Sequence, residues 1–468
     1  METILKATGE VGMSRLTRRS PRGVVAGALV MILAGCTDFL DVDNPASLLD
    51  EDLGREELVT TLANTTEGNI TDTYSSLNER SGLLSDELFH RSTQLENLDA
   101  MYGNRLSSNS SVEGHWRGLA QAYWLSGEMV TRLTALLENP NSDPRIARTL
   151  FFGGLAQVTM ADHFNVIVYG PEDMPRGPID VLNDAVETFT EAATVAGAAG
   201  AANLQAASLG QLARTYRSLY FEELRLRGND DLSFMDQAET AARAALDADP
   251  NYNISLEFGA PGGSNNMVFL GGPLGGQNRF DEVYLFLPDP VTGEWDPRIP
   301  HETEILIESN GETAVNVKFP ARETPLPVSR ASEAMLIIAE ARLLRNDVAG
   351  AVEWINANRA AARERVSSPG YADPDRWPPE EPIAISDLPD FGSSDPEVVY
   401  DQLKHERRAE FWLELRRWAD MRYYEIVPYR WFEPNKAAGM NLRWPPAPEE
   451  VAQNDNLTQP MTQSVYVR

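Results

Sequence analysis

SEAMLIIAEARLLRNDVAGAVEWINANRAAARERV, residues 332–366, decides the fold. Its apolar positions recur at helical spacing over 332–345 and again over 347–366, which predicts two helices. The segments are long enough to lie antiparallel, with alanines placed where their backbones cross. A second such pair stands upstream, 206–227 and 234–249, joined by Gly228-Asn229-Asp230-Asp231; its second helix reads DQAETAARAALDADP. A long non-repetitive segment separates the pairs, so a regular solenoid, which stacks its units contiguously, is not expected.

Working outward, these pairs resemble tetratricopeptide-type units. Residues 48–137 are mostly helical in pattern, with a break at the polar run Ser107–Ser111; Trp116, Leu119, Tyr123 and Met129-Val130 recur at near-helical spacing, and Leu133, Leu136 and Leu137 continue the stripe. Pro140-Asn141-Ser142-Asp143-Pro144 stops that pattern. A further helix is predicted over 145–163, then a rigid Gly/Pro loop over 169–178. The segment 251–327 is rich in Gly and Pro, with apolar alternation in 281–287 and 303–307, and reads as loops with a little strand. A second irregular stretch, 367–396, carries seven prolines. Long loops inside a compact domain are uncommon and often functional. The last strong helix is predicted over 398–424, with charges of both signs at spacings of three and four. The expected class is mainly α: a scaffold of helix pairs with long irregular loops and little strand.

The N-terminus carries a different message. Arg15, Arg18, Arg19 and Arg22 precede an uncharged run from Gly23 to Leu33, and Leu33-Ala34-Gly35-Cys36 ends it with the only cysteine in 468 residues. A basic segment, a short apolar core and small residues before the cut form a secretory signal. Eleven apolar residues fall short of the ~20 that span a bilayer. The LAGC ending resembles a bacterial lipobox, in which the cysteine is acylated and becomes the mature N-terminus. Residues 1–35 thus read as a signal peptide, 36–47 as a lipid-attached tether and 48–468 as one helical domain. Met13 is an alternative start to Met1.

Losing residues 1–35 removes five basic and two acidic side chains, so the formal charge falls from −30 to −33. That balance argues against nucleic acid, which needs clustered Lys and Arg. It also argues against adsorption to anionic lipid, leaving acyl chains to anchor the protein. With no cysteine beyond Cys36, the folded body has neither disulfides nor thiolate metal sites.

Five motifs in order resemble the SusD/RagB family of outer-membrane lipoproteins. CTDFLDVDNP follows the acylated cysteine. SEAMLIIAEARLL fits "SEMYLIRAEAY", and AVEWINANRAAA fits "A…LN.vR.RA". LKHERRAEFWLELRRWADMRYY fits "ER..EL..EG.R..DL.R", and PPAPEEVAQNDN fits "PIP..E...NP". The resemblance implies a surface-exposed, non-catalytic glycan-binding lipoprotein that caps a TonB-dependent (SusC-like) transporter and delivers oligosaccharide to it. A peptide cargo is the variant of that role. One position departs: Leu415 stands where the family has glycine. Inside the helix predicted over 398–424, that change should alter packing and not fold. Glu406, Arg407, Glu410, Arg417 and Asp420 of the signature are expected to form a paired, partly buried network.

A sugar presents an apolar face and a ring of hydroxyls, so its site wants flat aromatics beside Asp, Asn and Arg. In the family, contacts come from the segment ahead of the "W…Y" helix and from central loops. Those map here onto 85–109, with Asp86, Arg91, Tyr102, Asn104 and Arg105, and onto 259–300, with Asn278, Arg279, Tyr284 and Trp295. Trp377 is a further candidate. Trp116, Trp124, Trp354, Trp412 and Trp418 sit on helical patterns and are expected in the core.

Enzyme readings find little support. Seventy Asp and Glu offer many accidental pairs for a glycoside hydrolase. His301-Glu302 begins like a zinc-protease helix, but Ile305 stands where the second histidine belongs, and the five histidines are scattered. The glycine-rich stretch 259–276 leads into no phosphate-binding motif. No cofactor and no metal are expected. The competing reading is a lipid-anchored, tetratricopeptide-like adaptor that binds protein and no sugar.

Overall fold

The computed structural model describes residues 55–101, 110–169, 173–259, 264–274, 277–280, 282–285, 287–305, 312–316, 318–367, 385–426, 443, 444, 446, 452 and 454–457. The signal segment, Cys36, the tether, Tyr102, Asn104, Arg105 and Trp377 lie outside the described residues.

The body is mainly helical. Its N-terminal part comprises α1 (Val59–Leu84), α2 (Leu95–Met101), α3 (Ser110–Leu136), α4 (Pro144–His163), α5 (Pro178–Ala198), α6 (Ala202–Arg227) and α7 (Ser233–Ala248). After an irregular insertion come α8 (Ala331–Leu344), α9 (Val348–Val366), α10 (Pro396–Glu410) and α11 (Arg417–Tyr423). Each helix of the series packs on the next: α1 on α3, α3 on α4, then through α5 and α6 to α7. Helix α7 packs directly on α8, which carries α9 and α10. The stack therefore runs unbroken past the insertion, so the two predicted pairs are neighbours in space although separated in sequence.

Both predicted pairs fold within a few residues of the bounds read from the sequence. Helix α5 was not foreseen, although Pro178 at its first position is a start signal and the Asp180 carboxylate accepts the Gly177 N–H at 3.2 Å. Two glycines let α4 sit close to both neighbours. A Cβ at Gly153 would fall 2.2 Å from Ser126 Oγ of α3, and one at Gly154 would fall 2.8 Å from the Phe189 ring of α5.

Among the described residues, three antiparallel ladders lie in and around the insertion. Strand β1 (Leu88–His90) pairs with β3 (Asn278–Phe280), β2 (Asn253–Leu256) with β6 (Leu326–Arg330), and β4 (His301–Ile305) with β5 (Glu312–Asn316). The alternation read over 281–287 does not make a strand, because Glu282–Leu285 is a helical turn. Four residues are too few for alternation to exclude one.

The helix predicted over 398–424 is broken in two. Between α10 and α11 the chain turns through Leu413 at φ 57° and Leu415 at φ 59°. Both leucines are buried. Asn78 Nδ2 donates to the Leu413 carbonyl, and the Glu87 carboxylate accepts the Leu413 N–H, both at 2.7 Å. The position where the family has glycine is thus a left-handed turn and not a helix interior, which corrects the expectation for Leu415.

Candidate functional site

The signature residues form the buried centre of the C-terminal half. Glu406 bonds Arg298, Arg359 at 2.7 Å and Gln402 at 2.6 Å. Arg359 also grips Asp289, with contacts of 2.8 and 3.0 Å. Glu410 meets Arg330 and Arg365, Arg407 holds Asp420 at 2.9 Å, and Arg417 holds Asp86 through bonds of 2.6 and 2.7 Å. Burial alone would push the Glu410 carboxyl up, but Arg365, Arg330 and Arg298 hold it well below the usual range. Glu410 is therefore charged, each of these carboxylates has a cationic partner, and the network is packing machinery.

The same network answers the metal question for the one cluster of three metal-ligating groups among the described residues. Asp289, Asp296 and His405 bring ligand atoms within 4.8 Å of one another. Arg359 and Ser386 already engage Asp289, while Arg298 and His405 engage Asp296. A cation there would face two guanidinium groups, so this donor set does not fit a metal.

Several predicted ligand residues serve that packing instead. Asp86 is the partner of Arg417, and Tyr284 is fully buried, stacked on Trp412 with Arg408 4.3 Å from its ring centre. Trp295 is only 3 % exposed. Its turn context was read correctly, with Gly293 in the left-handed region at φ 73°. The backbone at Trp295 then bridges Pro288 on one side and Ile385 on the other, which buries the ring. None of these three is an open stacking or hydrogen-bonding group.

What the structure does bring together are the two predicted ligand segments. In the β1–β3 ladder, Leu88 faces Phe280, Phe89 faces Arg279, and His90 faces Asn278. The pairing continues as the Arg91 N–H donates to the Gln277 carbonyl at 2.8 Å. Beside it lies a polar cluster. The Asn278 amide donates to Glu79, and its carbonyl oxygen is 2.7 Å from His90 Nδ1. Asn97 bonds Arg80 and lies 3.4 Å from His90 Nδ1. Gly271 makes room for this: a Cβ there would strike the Glu79 carboxylate and the Asn278 amide. Burial pushes the Glu79 carboxyl up to about 7, with Arg80 and the Asn278 amide only partly opposing it. Burial also lowers His90. Glu79 is therefore about half protonated near pH 7 beside the Arg80 guanidinium, and with His90, Asn97 and Asn278 also buried the cluster is an interior network. Its outer rim, Thr93–Glu96, is exposed, and Arg91 is half-buried.

Sequence reading missed Glu79, His90 and Asn97, because isolated polar residues on a helical or strand pattern give no signal before their partners are known. It also misplaced one tryptophan. Trp116, Trp412 and Trp418 are buried as expected and Trp354 is partly buried, but Trp124 is 59 % exposed.

The SusD family's sequence model matches residues 309–467. No curated protein matches the chain significantly. Among solved structures, a SusD homolog from Bacteroides thetaiotaomicron aligns with a TM-score of 0.65 at 12% identity, covering 88% of this chain and 98% of its own. A putative sugar binding protein from Bacteroides vulgatus gives 0.58 at 14% identity, covering 86% and 97%. A SusD-like carbohydrate binding protein from Bacteroides fragilis gives 0.55 at 15% identity, covering 87% and 99%. At such identities the likeness establishes the fold, and the sequence match covers the C-terminal third. The chain is SusD-like: residues 309–467 match the family, and the described body has its fold.

Proposed function

We propose that this protein is a glycan-binding lipoprotein of the outer-membrane surface, anchored through acylated Cys36, that captures oligosaccharide and passes it to a TonB-dependent transporter. The observation that carries this reading is the β1–β3 ladder. It pairs the two segments that the family resemblance assigns to ligand contact, 85–109 and 259–300, and sets exposed Thr93–Glu96 and half-buried Arg91 beside the join. The hydroxyl, amide and guanidinium groups of Thr93, Gln94 and Arg91 suit a hydroxyl-rich ligand, and the acidic net charge opposes sulfated or uronic ones. Fold relatives described as sugar binding support the same role. No described helix is long and apolar enough to cross a membrane, which agrees with an acyl anchor. In this role the protein binds and hands over its ligand without chemistry.

The test has two parts. The lipidated protein is extracted from its native membrane in mild detergent, and its partners are identified. A stoichiometric TonB-dependent barrel is the expected result. The mature chain is also titrated calorimetrically with neutral oligosaccharides, with binding expected for at least one and weakened by Arg91→Ala. Only soluble partners and no sugar binding would replace this reading with the protein-binding adaptor.

A further inference from the structure

Trp124 is the exception to the burial pattern of its helix, and it stands over a hollow. A cavity of about 400 Å³ opens between α3, α4 and α5, walled by Tyr123, Trp124, Glu128, Thr131 and Thr188. That volume lies within the range of small-ligand sites, ~300–1,000 Å³. A single exposed apolar side chain is ordinary on a protein surface. Here the ring borders a formed cavity, with a second aromatic beside it. Tyr123 is half-buried and held by a stack on Tyr169, centroids 4.1 Å apart. Gly127, one turn on from both aromatics, lines the hollow, and a Cβ there would enter open space with nothing within 4 Å.

The polar rim fixes the class of ligand. The Thr131 hydroxyl donates to the Gly127 carbonyl at 2.9 Å and the Thr188 hydroxyl to the Asp184 carbonyl at 3.0 Å. Their protons are spent on their own helices, so both oxygens face a ligand as acceptors. Glu128 adds further acceptors, and its charge is matched by Arg132 at 2.6 Å. A flat indole beside several acceptors and a neutralised carboxylate suits a ligand with one apolar face and many O–H donors. The neutral donors on its wall, the Trp124 indole N–H and the Tyr123 hydroxyl, offer an anion no balancing charge, and the Glu128 carboxylate is already matched by Arg132.

We infer that the Trp124 hollow is a second saccharide-binding site, in which a neutral sugar ring stacks on the indole and donates hydroxyls to Glu128, Thr131 and Thr188. It shares no residue with the β1–β3 face. The inference rests on the saccharide-binding reading for its ligand class only. Two sites on one body would let one glycan chain engage twice, which raises avidity without new contacts at either site.

The test uses the mature chain and neutral linear probes: malto-, xylo-, manno- and β-gluco-oligosaccharides. Oxidative footprinting read by mass spectrometry reports Trp124 directly, and calorimetry reports affinity. A binding probe should protect Trp124 from oxidation. Trp124→Ala should weaken binding about tenfold or remove one class of sites. Gly127→Leu should do the same by filling the hollow, and because leucine favours an exposed helix over glycine this variant keeps its fold. A probe that binds the wild type, leaves Trp124 oxidation unchanged and binds both variants equally well would overturn this site alone. If no probe binds the wild type, the saccharide reading falls and this site with it.

Discussion

At the scale of single residues, Leu415 shows how a family motif and its backbone come apart. A leucine at φ 59° carries a side chain that the left-handed region penalises by ~1–2 kcal/mol. Contacts from Asn78 and Glu87 to the neighbouring Leu413 hold the turn in place regardless. The position was legible as the family's glycine, but its conformation was not. Leucine is a strong helix former, and the charge spacing runs straight through 411–416, so local signals favoured an unbroken helix. The left-handed geometry comes from tertiary contacts. Leu415→Ala and Leu415→Gly both forfeit the same buried side chain, yet only glycine relieves the backbone. The glycine variant should be the more stable by ~1 kcal/mol in urea unfolding, the reverse of the order inside a helix. An alanine variant that outlasts it would mean residue 415 is not held left-handed in solution.

At the scale of elements, α10 carries the charges that the sequence reading expected in a paired, partly buried network, and it folds them into the core. Its Glu406, Arg407 and Glu410 are buried, each paired with residues brought from elsewhere in the chain. The sequence made the helix and its charges legible, since both follow from local spacing. It could not reveal Arg298 or Arg359 as partners of Glu406, because they arrive from the insertion and from α9. The β1–β3 pairing was hidden for the same reason: three-residue strands far apart in sequence leave no periodic trace. A buried pair costs most when only one member is removed. Glu406→Gln leaves Arg298 and Arg359 without their shared charge and should cost ~3 kcal/mol or more in urea unfolding. Arg363→Ala breaks a solvent-exposed pair with Asp390 and should cost less than ~1 kcal/mol. Equal losses would mean that the α10 charges are hydrated, against their burial here.

At the scale of the whole molecule, the loop after α1 ties the N-terminal helices to the C-terminal turn. Asp86 clasps Arg417 while Glu87 accepts the Leu413 N–H, so adjacent residues bridge more than 300 positions of sequence. The same loop leads into β1, so this tie also positions the ladder on which the proposed glycan face rests. Its weak point is a proton. Burial pushes the Glu87 carboxyl up to about 7; the Leu413 N–H opposes this, Asp86 reinforces it, and Arg417 and Lys318 oppose it. Between its ordinary value of 4.5 and about 7, the folded state keeps a proton that the unfolded chain has released. This group's contribution to stability therefore falls as pH rises through that window and stays at its lowest above it. Glu87→Gln is permanently neutral and keeps an oxygen to accept the Leu413 N–H. It should match the wild type within ~1 kcal/mol at pH 5 and exceed it by ~2–3 kcal/mol at pH 8. Comparing the two proteins at each pH cancels groups such as Glu222. Burial would raise that carboxyl, but Arg443 and Arg422 hold it down at about 2, so its own contribution is lost on acidification. A gap between variant and wild type that is the same at both pH values would show that Glu87 is ionised throughout, and that the tie between the two ends of the chain does not depend on its proton.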